Sequence, residues 1–149
     1  MALIFLFAIV SFLSENWGAN QKPGFVETFI AKWALGFFRR TDSDVPNPLP
    51  PTPQNLEEGH RLYDKECALC HGLDGKGQGE KGLQFYPPAP SLVERTTEIS
   101  DGQIQAIVSR GVRYTAMPSF AKELTPDEIW KIALWVRRIP QQKSVASDK

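Results

Sequence analysis

The two cysteines of this 149-residue chain lie three positions apart and run directly into a histidine, in Cys67-Ala-Leu-Cys70-His71. Residues at that spacing share one side of a helical turn, so two thiols and an imidazole are presented together. A structural zinc site needs about four ligands, and the one other histidine, His60, cannot supply a second Cys/His pair. A thioredoxin-like C-x-x-C belongs beside a βαβ pattern, and the flanking residues show none. A bare disulfide next to an unrelated histidine is the competing reading. C-x-x-C-H is otherwise the attachment signature of a c-type haem. The thiols of Cys67 and Cys70 form thioethers with the porphyrin vinyl groups, and His71 lies under the ring with a nitrogen on the iron.

What fills the iron's other axial position decides the chemistry. Met1 lies in an apolar N-terminal run, which leaves Met117, in Tyr114-Thr-Ala-Met117-Pro118-Ser-Phe120, as the candidate thioether. His60 is its rival, but it precedes Cys67 on the segment leading into the attachment site and is badly placed to reach the opposite face. With His71 and Met117 as axial ligands the iron has no open site, which argues against peroxidase or oxygenase chemistry. A thioether favours ferrous iron and raises the reduction potential, so the expected activity is reversible one-electron transfer with no substrate site of its own.

The elements that must position these residues are helical. Leu56 to Leu69 reads as a helix running into the motif, with Gly59 and Tyr63 four apart on one face. Gly72 to Ser91 reads as a loop, punctuated by Gly72, Gly75, Gly77, Gly79 and Gly82 and then by Pro87, Pro88 and Pro90. Ser100 or Asp101 caps a helix through Ile104, Ile107 and Val108 that stops at Gly111. Thr125-Pro126-Asp127-Glu128 is a capping box that opens a final helix to Ile139, with Ile129, Ile132, Ala133 and Val136 on its apolar face and Trp130 and Trp135 flanking. Pro140 is expected to end it, leaving residues 141–149 as a polar tail.

The N-terminal third is different in kind. Met1 to Leu13 is almost wholly apolar, long enough for a signal-peptide core and short for a span of ~20 residues. It lacks the basic leader and clean cleavage site of a signal, so residues 1–22 read as a hydrophobic membrane anchor, with an uncleaved signal as the alternative. In residues 23–40, Phe25, Val26, Phe29, Ile30, Trp33, Ala34, Phe37 and Phe38 recur on one helical face. Such a helix lies in a membrane interface, in a partner's groove, or on its own domain. Residues 41–53 form a linker in which Val45 to Pro53 holds five prolines in nine residues. Polyproline II there, at ~3.1 Å per residue, makes a semi-rigid spacer of ~25 Å. The folded domain is then residues 54–140.

Charge offers no partner signal. Lys plus Arg and Asp plus Glu are 17 each, and from Gln54 onward the balance is equally neutral, so nucleic acid is not indicated.

From Gln54 to Pro140 the chain resembles the class I cytochrome c family. The likeness rests on the helix with Gly59 and Tyr63, the Cys67–Gly72 motif, Ala89-Pro90-Ser91-Leu92, the helix ending in Arg110-Gly111, the Met117-Pro118 loop and the Trp-rich last helix. The resemblance implies an all-α fold of about three to four helices around one covalent haem, here with an N-terminal membrane- or partner-binding helical extension. It also implies that Gly59 and Tyr63 cross the last helix near Ile132 and Trp135. The Pro90 carbonyl would accept the Nδ1 proton of His71, with Pro87 and Pro88 as alternatives. The expected setting is the outer, periplasmic face of a bacterial cytoplasmic membrane. The expected partners are other redox subunits, as in monohaem subunits of quinol-oxidising complexes such as alternative complex III; no small-molecule substrate is expected. An independent tethered carrier and a terminal-oxidase subunit are the alternatives.

Overall fold

The computed structural model describes residues 45–113 and 115–147, with side chains up to Ile139, together with Phe7, Gly24, Phe25 and Phe29. Apart from those four residues, the expected anchor at 1–22 and the aromatic helix at 23–40 lie outside the described residues. Phe25 and Phe29 are helical and remain 87% and 63% exposed, so the domain does not cover these two rings. Among the described residues there is no strand, and no helix is long and apolar enough to cross a membrane.

Five helices order the domain: α1 (Pro53–Glu66), α2 (Ala68–His71), α3 (Leu92–Arg95), α4 (Asp101–Arg110) and α5 (Pro126–Ser147). Their ends follow local chemistry. Thr52 Oγ1 accepts from Asn55 N at 3.2 Å, and Pro53 occupies the first turn, where its missing N–H costs nothing. Ser100 and Gln103 form a reciprocal capping box at the start of α4, which ends at Gly111 with φ +71°. Thr125 and Glu128 do the same for α5. The expected single helix from Leu56 to Leu69 is instead two, because Cys67 leaves the regular path (φ −114°, ψ −35°) between α1 and α2. The last helix also runs past Pro140, where it was expected to stop, through Ser147. Proline's fixed φ is compatible with a helix, so the helix continues there without the hydrogen bond that Pro140, lacking an N–H, cannot donate.

The core lies where α1 and α4 pack on α5: Leu62, Tyr63, Ile104, Val108, Ile129, Ile132, Ala133, Trp135 and Val136 are all buried. Trp135 belongs to that core rather than flanking it. A Cβ on Gly59 would lie 2.1 Å from the Lys131 carbonyl oxygen, so only glycine lets α1 and α5 cross this closely. Lys131 Nζ meets Glu58 at 2.9 Å beside the crossing. Arg137 ties α5 to the rest, donating to Asp101 Oδ1 at 2.6 Å and to the carbonyls of Thr96 and Ile99.

The proline-rich run is bound to the domain over its second half. Asn47 Nδ2 donates to the Trp130 carbonyl of α5 at 2.9 Å, Asn47 Oδ1 accepts from Leu49 N at 3.0 Å, and Asn55 Nδ2 donates to the Pro50 carbonyl at 2.8 Å. A chain of hydrogen bonds thus links α5 to the start of α1. Residues 47–53 are a strap on the domain and not a free tether.

Candidate functional site: a two-thiol turn and an oriented imidazole

The two thiols sit at either end of the short α2 turn. Cys67 is its N-cap and Cys70 lies within it; both are unpaired and half-buried. Burial, reinforced by Glu66 and Cys70, pushes the Cys67 thiol up to about 12, so it stays protonated and inert as a free nucleophile. The two thiols are not joined to each other as a disulfide in the structure.

His71 is held by its ring and by its backbone. Its Nδ1 lies 3.2 Å from the Pro90 carbonyl. A carbonyl only accepts, so Nδ1 carries the proton and Nε2 keeps its lone pair. Burial lowers the pKa of the imidazole from its usual value, against the opposite pull of the Pro90 bond, which favours the neutral ligating form. The loop after the motif brings Pro90 into place. Gly77 N donates to the His71 carbonyl at 2.8 Å, and Leu92 N to the Gly75 carbonyl at 2.7 Å. Gly77, at φ +77°, lies so close to Pro90 that a Cβ would meet the Ala89 carbonyl oxygen at 2.2 Å. Of the three prolines open to the sequence, Pro90 is the one whose carbonyl reaches His71. The signal for Gly77 was present in the glycine spacing, without a hint of what it approached.

Met117 borders the same core cluster as Cys67 and Ala68. Its loop is folded back on the end of α4: Val112 N donates to the Met117 carbonyl at 3.1 Å, Phe120 N to the Val108 carbonyl at 3.2 Å, and Ser119 Oγ to the Ser109 carbonyl at 2.6 Å. A Cβ on Gly111 would lie 2.6 Å from Pro118 C, so the chain doubles back tightly. His60, the rival ligand, is engaged elsewhere. Its ring stacks on Trp135 at 3.8 Å, and its Nε2 lies 3.3 Å from Asp64. The hydroxyl of Tyr63, placed by the sequence only on the packing face of its helix, donates to the Gly72 carbonyl at 2.6 Å.

Set beside known proteins, residues 54–136 match the family described as cytochrome C oxidase, cbb3-type, subunit III. The chain is 29% identical over 92 residues to the quinohemoprotein alcohol dehydrogenase ADH IIB of Pseudomonas putida, covering 62% of this chain and 12% of that protein. It is 27% identical over 92 residues to the cbb3-type cytochrome c oxidase subunit FixP of Rhizobium meliloti, covering 60% of this chain and 29% of that one. A reducing HAO-like protein complex of Kuenenia stuttgartiensis contains a similar fold, with a TM-score of 0.55 and 30% identity over 62% of this chain and 46% of that one. The chain therefore spans less than half of each of these proteins. One covalent haem c is the cofactor of such domains, and the residues fit it: two free thiols on one turn and a neutral imidazole with one nitrogen left to ligate. With the all-α fold and the match across more than half its length, the chain belongs to the cytochrome C oxidase, cbb3-type, subunit III family of c-type cytochromes.

Proposed function

We propose that this protein is the electron-transfer subunit of a larger redox assembly at the outer face of a bacterial cytoplasmic membrane, taking single electrons from a neighbouring centre and passing them to a downstream acceptor. The observation that carries it is the His71–Pro90 contact inside a C-x-x-C-H turn, which leaves Nε2 as the one ring nitrogen free to bind a metal. Haem c supplies a one-electron iron couple. Cys67 and Cys70 would hold it covalently, His71 and Met117 would ligate its iron, and Pro90 would keep the imidazole oriented and electron-rich. A soft sulfur ligand and apolar burial both favour the lower charge on the iron.

The subunit reading, rather than a freely swinging carrier, draws support from the relatives, in which this domain is a part of larger redox proteins. The Asn47–Trp130 bond points the same way, because a strapped linker restricts how far the domain can swing. The anchor at 1–22 and the aromatic helix at 23–40 are proposed to hold it to the membrane and its partners. Purification in mild detergent tests this: redox subunits should accompany the cytochrome, and deleting residues 25–38 should release it. A wild-type protein that purifies alone, with an intact N-terminus, overturns the subunit assignment while leaving the haem chemistry standing.

A further inference from the structure

We infer that the surface around the Cys67–His71 turn docks a redox partner whose own rim is apolar and uncharged, so that desolvation and not charge steering brings the two together. This rests on the electron-transfer reading above. Three leucines there are turned to solvent, with Leu69 52%, Leu73 71% and Leu83 69% exposed. The backbone gathers them. Lys81 N donates to the Leu69 carbonyl at 2.9 Å, and Gly79 N to the Cys70 carbonyl at 3.2 Å. A Cβ on Gly82 would meet the Cys70 carbonyl oxygen at 2.1 Å, so Leu83 emerges beside the second cysteine. Leu73 leaves from Gly72, which itself lies against Gly79. None of the three is needed by the core, which Tyr63 and Ile132 already close with no exposure. Clustered exposed apolar side chains of this kind mark contact surfaces.

The lysines nearest in sequence to these leucines each have a carboxylate beside them. Lys65 meets Glu66 at 2.6 Å, Lys76 meets Asp74 at 3.2 Å, and Lys81 meets Glu80 at 4.0 Å. Exposed pairs contribute little to stability, but each cancels the field of its own lysine. Beyond a screening length of ~8 Å these three pairs present no net sign, so a charged rim gains little from them, whereas an apolar one gains from water released by the leucines.

A second copy of the chain presents such a rim and serves as the probe. Electron self-exchange between ferrous and ferric full-length holoprotein in detergent, read from NMR line broadening, should change less than about threefold from low to high salt. Replacing Leu73→Gln and Leu83→Gln together should lower it at least ~10-fold at every salt concentration, about 1.4 kcal/mol of docking free energy. Oxidation by hexacyanoferrate, which needs no apolar docking, should stay unchanged. A wild-type rate that varies steeply with salt, or a double variant that exchanges like wild type, overturns the proposal. If hexacyanoferrate fails to oxidise the wild-type haem, the electron-transfer reading itself is lost.

Discussion

Tyr63 donates its phenolic proton to the carbonyl of Gly72, the residue after His71, across 2.6 Å. The ring has no exposure. Burial first, then the nearby carboxylates of Asp74 and Asp64, hold the phenol protonated far above the usual range, so the bond persists at any working pH. It fastens the turn that carries the imidazole to the main helix crossing. Tyr63→Phe keeps the packing and deletes the bond. Because Gly75 N also donates to the Gly72 carbonyl, at 3.1 Å, the loss should be about 1 kcal/mol, measured by urea unfolding of the holoprotein.

Gly59→Ala should cost more. The new Cβ would sit 2.1 Å from the Lys131 carbonyl oxygen and 3.3 Å from Trp135 Cβ. Backbone cannot yield as a side chain end can, so α1 and α5 must move apart. Overpacking costs about 1–3 kcal/mol, and alanine's better helix propensity offsets about 1 of it. A net loss of up to about 2 kcal/mol is expected in thermal unfolding, together with a change in the near-ultraviolet dichroism of Trp135 as its stack on His60 opens.

The parts legible from sequence were those whose partners are near in the chain or fixed by residue type. The motif at 67–71, the cap at Ser100 or Asp101, the Gly111 stop and the Thr125/Glu128 box each lie within a few residues, although the sequence did not choose Ser100 or name Gln103 as its partner. What stayed hidden were side chains whose acceptors are distant backbone carbonyls. Asn47 reaches Trp130 across 83 positions, and Arg137 reaches Thr96 and Ile99. A carbonyl carries no residue identity, so nothing in the sequence advertises it as a partner. The choice of Pro90 over Pro87 and Pro88 needed the folded loop, because it depends on how closely Gly77 lets that strand of chain approach.

Asn47→Ala should free the strap without unfolding the domain. The variant loses the bond to Trp130 and the acceptor for Leu49 N. Global stability should fall by about 1 kcal/mol or less, while hydrogen exchange at Leu49 and protease cleavage between residues 45 and 53 speed up. If the Leu49 amide already exchanges at unprotected rates in the wild type, the strap is not populated in solution.

Glu128 gives the final helix an acid-sensitive cap. Its carboxylate accepts from Thr125 N and Thr125 Oγ1, both at 2.8 Å, and the backbone bond above all pulls its pKa below the usual carboxylate value. A depressed folded-state pKa means that the stabilisation is complete above the unfolded value and is lost as pH falls through the folded one. Stability should therefore decline more steeply below about pH 4.5 in wild type than in Glu128→Gln, a difference measurable by denaturant titration at a series of acidic pH values.

Met117→Ala separates the two candidate axial ligands. The loop that carries Met117 is pinned by backbone bonds to Val112, Val108 and Ser109 that do not involve its side chain, so removing the thioether should leave the loop in place. The thiols of Cys67 and Cys70 are untouched, and haem should remain covalently attached. An iron bound by His71 alone becomes high-spin and binds carbon monoxide, both visible in the optical spectrum. His60→Ala provides the complement. That ring is held by Trp135 and Asp64, so its loss should weaken packing and leave the haem spectrum alone. The reverse pattern, a normal spectrum in Met117→Ala and a high-spin one in His60→Ala, would transfer the ligand role to the histidine.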